Sequence, residues 1–158
     1  MSERFYYIDN YLYQGNLKAA LNNELLEKYN INVVFTLLTQ KKINALGLPN
    51  WHIDASTVEH HLVFDIMDNV VQKDFVLKEQ VKLWKTLFSE TISFIQKTKN
   101  VLIHCNAGLS RSAIAVINIY SILHNLSYEE AHQAINKEFP KLRKGNPEII
   151  KLLEKQKY

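Results

Sequence analysis

The chain has 158 residues, a formal net charge of +3, 47% hydrophobic and 22% charged residues. This is the mix of a single soluble globular domain over residues 1–158, and it excludes global disorder, collagen-like repeats and low-complexity scaffolds. The small basic excess suits an anionic substrate but falls short of a nucleic-acid binder. The lone cysteine excludes an intrachain disulfide.

The expected elements alternate along the chain. Phe5 to Gln14, rich in Tyr and Ile, reads as one or two short strands. Leu17 to Tyr29 has helical composition, with Ala20, Leu21, Leu25 and Leu26 on a shared face. Ile31 to Leu38 is a continuous β-branched run, the pattern of a buried strand. Gln40 to His60 mixes Lys, Gly, Pro, Trp and His and reads as a loop with one short strand. His61 to Ile66 is a further strand. Leu77, Val81, Trp84, Phe88, Ile92 and Ile95 recur at intervals of three and four, which marks an amphipathic helix over Phe75 to Lys97. Asn100 to His104 is a short apolar strand, and Arg111 to His124 is apolar nearly all round, a buried helix. Ser127 and Glu130 form a capping box that opens another helix. Asn146-Pro147 opens the last one, with an N-cap and a proline at the first helical position. Strands alternating with helices imply an α/β fold with a central, mostly parallel sheet flanked by helices.

The ends carry no readable address. Met1-Ser2-Glu3-Arg4-Phe5 lacks the apolar stretch of a signal peptide, Ser2 stands where myristoylation needs glycine, and Lys155-Gln156-Lys157-Tyr158 is no prenylation box. The most apolar stretch, Ala113 to Leu123, is interrupted by Asn118 and Ser121 and is too short to span a bilayer. A cytoplasmic or nuclear protein without membrane association is expected.

The chemistry concentrates in His104-Cys105-Asn106-Ala107-Gly108-Leu109-Ser110-Arg111-Ser112. A cysteine ends a buried strand, and an arginine six positions later starts a buried helix. The loop between them can curl its N–H groups inward around a tetrahedral oxyanion. Gly108 allows backbone angles that a side chain obstructs. The helix aims its free N–H groups and its positive dipole end at the same spot. Arg111 can grip two phosphate oxygens with its planar fork. The same features favour a thiolate and mark Cys105 as a nucleophile near neutral pH.

This stretch resembles the His-Cys-x5-Arg-Ser/Thr signature of protein tyrosine phosphatases, and its wording is most similar to that of the dual-specificity phosphatases. The resemblance covers most of the chain. Leu12-Tyr13-Gln14-Gly15 resembles the Leu-Tyr-Leu-Gly segment near the family's start, Ile31-Asn32-Val33-Val34 the strand that follows, and Ser127 through Ala131 a Ser-x-x-x-Ala helix start. It implies a protein tyrosine phosphatase-like fold reduced to the catalytic domain, and a two-step mechanism. Cys105 forms a phosphocysteine, and an aspartic acid protonates the leaving group and then activates water. Arg111 and the N–H groups of Asn106, Ala107, Gly108, Leu109 and Ser110 hold the phosphoryl oxygens. Ser112 assists the departing sulfur, His104 orders the loop and Asn146 helps hold it.

For the acid, the resemblance favours Asp68 over Asp65, with Asp74 a distant third. The implied substrate is a phosphorylated protein, on phosphotyrosine and phosphoserine or phosphothreonine. No metal or other cofactor, no nucleic acid and no membrane is called for. The alternatives are a phosphate-binding pseudophosphatase, or the same chemistry on a phosphoinositide, a phosphoglucan or an RNA 5′ end. The absence of Lys and Arg from the variable loop positions leans against a lipid. His52, His60 and His61 lack a metal-ligand pattern and read as surface or loop residues, while His124 and His132 carry no role. The basic run Lys141-Leu142-Arg143-Lys144 reads as a helix-end or solvent-facing cluster.

Overall fold

The computed structural model describes residues 2–48 and 50–155. Met1 and Gln156-Lys157-Tyr158, on which the readings of the two ends partly fall, and Pro49 of the Gln40–His60 segment lie outside the described residues. The elements run β1 (Phe5–Asp9), β2 (Leu12–Gly15), α1 (Leu17–Ala20), α2 (Asn23–Lys28), β3 (Val33–Leu37), α3 (Gln40–Ala45), β4 (His60–Phe64), α4 (Asp74–Gln96), β5 (Val101–His104), α5 (Arg111–His124), α6 (Tyr128–Glu138) and α7 (Pro147–Lys155).

Five strands form one sheet in the order β1-β2-β5-β3-β4. β1 pairs antiparallel with β2, and the other four strands are parallel. The expected mostly parallel sheet is therefore present. Its parallel strands end together at Gly15, Leu37, Phe64 and His104, so the loops that follow them gather along one edge, where open α/β sheets place their ligand sites. β5 is the central strand and all four of its residues are buried.

The alternation of side chains across a strand divides the core into two layers. Leu12, Val33, Phe35, Leu37, Val101 and Ile103 pack with residues of α4, α5, α6 and α7. Val34 and Leu102 face the other way, with Ala20, Leu26 and Ile31. α5 lies within the larger layer, and Ala113 through Ile117 are wholly buried. This explains why its sequence is apolar on nearly every face.

Three expectations change. The segment Leu17–Tyr29 is two helices, because Asn22 accepts a hydrogen bond from the N–H of Leu25 at 3.1 Å and so starts α2 as an N-cap. Leu21 consequently falls at a helix end and is exposed. The segment Gln40–His60, read as a loop with one short strand, opens with a helix: Thr39 caps α3 by accepting from Lys42 N–H at 3.2 Å. In α4 the buried seam is Val81, Trp84, Leu87, Thr91 and Ile95, rotated slightly from the apolar stripe. Thr91 fits that seam because its hydroxyl donates to the Leu87 carbonyl at 2.7 Å. The other starts match: Ser127 and Glu130 form a complete capping box, and Asn146 Oδ1 accepts from Glu148 N–H at 2.9 Å. Among the described residues, no helix is long and apolar enough to cross a membrane.

Candidate active site

β5 delivers Cys105 to the sheet edge, and α5 begins at Arg111. Between them the chain turns at Gly108, whose φ is +73°; a Cβ there would also sit 3.1 Å from the Gly15 carbonyl and 3.2 Å from the Cβ of Asn16. The angle favours glycine, and the contacts are tighter than a Cβ ordinarily makes. The loop is tied to the sheet by Leu17 N–H, which donates to the Asn106 carbonyl at 2.9 Å. No side chain caps the first turn of α5, so its N–H groups are left to the loop's own concavity.

Cys105 is 3% exposed, and its Sγ lies 3.2 Å from the Oγ of buried Ser112. Arg111 is buried at the neck of the loop. One Nη donates to the Ile66 carbonyl at 3.3 Å, while Nε has no hydrogen-bond partner among the described residues and lies 3.6 Å from Asp68 Oδ1. A buried guanidinium N–H without a partner is a donor set for an oxygen that arrives with a ligand.

The loop after β4 supplies the carboxylates. Asp68 extends beside Arg111 with its side chain 65% exposed. Asp65 is also exposed, and its carbonyl accepts from Gln80 Nε2 at 3.0 Å. Asp74 begins α4 and lines a groove with Lys78, Lys82 and Lys85 on that helix. Of the three candidates, Asp68 is the one paired with the arginine of the cysteine loop.

Asn146 joins the two loops. Its N–H donates to Ser110 Oγ at 3.2 Å and its Nδ2 donates to the Asp68 carbonyl at 3.2 Å. Gly145, at φ +100°, lets this segment pass against α5, since a Cβ there would lie 2.4 Å from Ile114 Cγ1.

His104 is wholly buried beneath the loop. Its Nδ1–H donates to the Cys105 carbonyl at 3.1 Å, so Nε2 is an acceptor, 2.7 Å from Thr36 Oγ1. Thr36 has one proton, which goes to His104; His61 Nε2–H then donates to Thr36 Oγ1 at 2.8 Å. The sheet register brings the three together: Thr36 lies opposite His104, and His61 lies opposite Val34 on the same face. Trp51 packs edge-on against both imidazoles, at centroid distances of 4.7 and 5.5 Å. Burial lowers the pKa of His61 to about 4, with a smaller contribution from His52. Burial also lowers that of His104 to about 3, against the raising effect of its bond to Cys105 and with further lowering from His61 and Arg111. Both are neutral, as the bonding pattern requires. The expectation that His61 is a surface or loop residue is therefore corrected: it is half-buried in β4 and is the outer end of this chain. His52 is exposed, as read. His124, given no role, pairs with Asp9. In the basic run, Lys144 pairs with Glu129 and Leu142 is buried, while Lys141 and Arg143 are exposed.

Two glutamines were not anticipated as site residues. Gln14 is buried at the end of β2, and its Nε2 donates to the Gly108 carbonyl at 2.9 Å and to Ser112 Oγ at 2.8 Å. Gln80 of α4 holds the loop after β4, accepting from Met67 N–H at 2.8 Å and donating to Asp65 O. The one signal for Gln14 was its place in Leu12-Tyr13-Gln14-Gly15, where the segment it resembles has leucine. For Gln80 the sequence holds no signal, because a polar residue on an amphipathic helix is the ordinary case.

A cysteine and an arginine thus bracket a loop at the carboxyl edge of a mostly parallel sheet, with an aspartate facing the arginine. The model of the family described as "Dual specificity phosphatase, catalytic domain" matches residues 12–158, and the chain belongs to that family. It is 26% identical over 151 residues to a protein of Amsacta moorei entomopoxvirus named as a tyrosine-protein phosphatase, covering 96% of this chain and 84% of that protein. It is 29% identical to Dual specificity protein phosphatase 1 of Arabidopsis thaliana, covering 84% of this chain and 59% of that one. Among solved structures, the human tyrosine phosphatase-like serine/threonine/tyrosine-interacting protein superposes with a TM-score of 0.77 at 21% identity, covering 96% of this chain and 94% of that chain.

Proposed function

We propose that this chain hydrolyses phosphate monoesters on phosphotyrosine and on phosphoserine or phosphothreonine of proteins, through a phosphocysteine intermediate. The observation that carries the reading is a convergence. The Cys105 sulfur rests against Ser112, and the carboxylate of Asp68 comes to 3.6 Å from the unpartnered Nε of Arg111. In the first step the thiolate attacks phosphorus, the P–S bond forms and the ester P–O bond breaks, with Asp68 giving its proton to the leaving oxygen. In the second step Asp68, now a carboxylate, takes a proton from water. The water oxygen displaces sulfur from phosphorus, and the hydroxyl of Ser112 stabilises the departing thiolate. Arg111 and the loop N–H groups meet the charge on the phosphoryl oxygens throughout. Each developing charge has a protein group facing it, so the scheme draws on no metal ion.

The test is hydrolysis of an aryl phosphate and of a phosphoserine peptide in excess chelator, for wild type, Cys105→Ser and Asp68→Asn. Activity that survives chelator, vanishes in C105S and falls in D68N supports the reading. Phosphate binding without turnover by the wild type on either ester replaces it with a pseudophosphatase.

A further inference from the structure

Gln14 departs from the apolar row it belongs to. β2 pairs with β5 so that Leu12 lies opposite Val101 and Gln14 opposite Ile103, on the face that packs against α5. A glutamine wholly buried among such neighbours is costly unless its amide is bonded. Among the described residues its nitrogen has two partners and its Oε1 has none. The amide orientation is fixed by chemistry: the Gly108 carbonyl can only accept, so the atom facing it is Nε2.

That orientation determines where the proton of Ser112 points. A serine hydroxyl has one proton and two lone pairs. The second N–H of Gln14 occupies a lone pair at 2.8 Å. The proton remains for the Cys105 sulfur at 3.2 Å or the Gly15 carbonyl at 3.4 Å, and the latter is a long distance for an O–H···O bond. A thiolate only accepts, so the hydroxyl turns to it. Gln14 also holds the Gly108 carbonyl. In a trans peptide the C=O and N–H point opposite ways, so this bond turns the Leu109 N–H away from Gln14.

We infer that Gln14 is a positioning residue for the cysteine loop: its amide occupies the acceptor side of Ser112 and so commits the serine proton to the Cys105 sulfur. Without the amide, the Gly15 carbonyl and the freed Gly108 carbonyl compete for that single proton, and the thiolate loses part of its donor. The inference deepens the phosphatase reading and rests on it for its catalytic meaning.

Its test needs no turnover. Cys105 is the only cysteine in the chain, so the pH dependence of alkylation by iodoacetamide reports that sulfur alone. The other titratable groups around it, His104, Arg111 and Asp68, are untouched in every variant used. Gln14→Met and Gln14→Leu are compared with Ser112→Ala and with the double variants, alongside thermal melting. Leucine is the residue the resembled segment carries at this position, which keeps one variant foldable. The midpoint of alkylation is expected to move up by about one pH unit in S112A, the size of a hydrogen bond to a charged group, and by a smaller part of that unit in Q14M and Q14L. The double variants are expected to match S112A, because Gln14 acts through the serine. An unchanged midpoint in a folded Q14L, or shifts that add in the double variants, overturns the inference. Absence of ester hydrolysis by the wild type, with the alkylation pattern as expected, defeats the phosphatase reading and leaves the positioning role standing.

Discussion

The loop between β5 and α5 is framed by buried structure, whereas the loop between β4 and α4 lies mostly in solvent. Cys105, Arg111 and Ser112 are all buried, while Asp68 keeps a side chain 65% exposed. The cysteine loop is held from below by Gln14 and His104 and from the side by Leu17 N–H. The β4–α4 loop, which carries the proposed acid, rests on hydrogen bonds reaching out from other elements, namely those of Gln80, Asn146 and Arg111. The geometry of Cys105, the proposed nucleophile, is thus fixed by the same packing that stabilises the domain. The position of Asp68, the proposed acid, depends on a few polar contacts. Changes around Cys105 should therefore register in both folding and activity, and changes under the acid loop in activity alone.

The largest effects should separate the chemistry from the packing. Cys105→Ser should lower turnover by at least about a thousandfold, as loss of a nucleophile does, while inorganic phosphate still binds in an equilibrium titration. Arg111→Lys should cost about a hundredfold or more in kcat/KM, because an ammonium cannot reproduce the planar fork. Asp68→Asn should lower kcat on a phosphoserine peptide by about a hundredfold, with a smaller loss on an aryl phosphate whose leaving group needs less protonation. Asp65→Asn should change neither by more than a factor of about two, and a large Asp65 effect would exchange the two roles.

Smaller effects probe the supports. Gln80→Leu removes both bonds to the acid loop from an α4 position outside the buried seam. It should lower kcat several-fold and leave the melting temperature nearly unchanged, a pattern that steady-state kinetics and calorimetry together resolve. Thr36→Val should do the reverse in emphasis. It leaves His104 Nε2 buried without a donor, which costs about 1–3 kcal/mol of stability in denaturant titration.

The histidine chain also sets a pH dependence. His61 and His104 have folded pKa values near 4 and 3, below the ordinary 6.5. Between those values and 6.5 the unfolded chain binds the extra protons. Stability is then complete above about pH 6.5 and falls as pH drops toward 4, by about 1.4 kcal/mol per unit for fully buried His104. Melting temperatures from pH 7 to pH 4 should decline, and more shallowly in a His61→Gln variant.

How much of this was legible follows the same division. The cysteine loop, the buried helix after it and the caps at Ser127 and Asn146 are local patterns, in which neighbours in sequence are neighbours in space. Asp68 could be singled out only through the family resemblance, since an aspartate in a turn has no local signature. The Thr36, His61 and His104 chain depends on the register of three parallel strands distant in sequence, which composition does not encode. Gln14 meets Ser112 across 98 positions of chain. Asn22 divided a segment of helical composition because its side chain competes for backbone N–H groups, an outcome set by one hydrogen bond rather than by propensity.

In the proposed reaction Cys105 forms a covalent bond to phosphorus in a loop that also carries the arginine. The direct measurement is acid quench of Asp68→Asn during turnover of a phosphoserine or phosphotyrosine peptide, followed by mass analysis of the digested protein. A phosphoryl group is expected on the peptide containing Cys105 and absent from the Cys105→Ser background. Turnover that proceeds with no phosphorylated cysteine, or with the label on another residue, would contradict it.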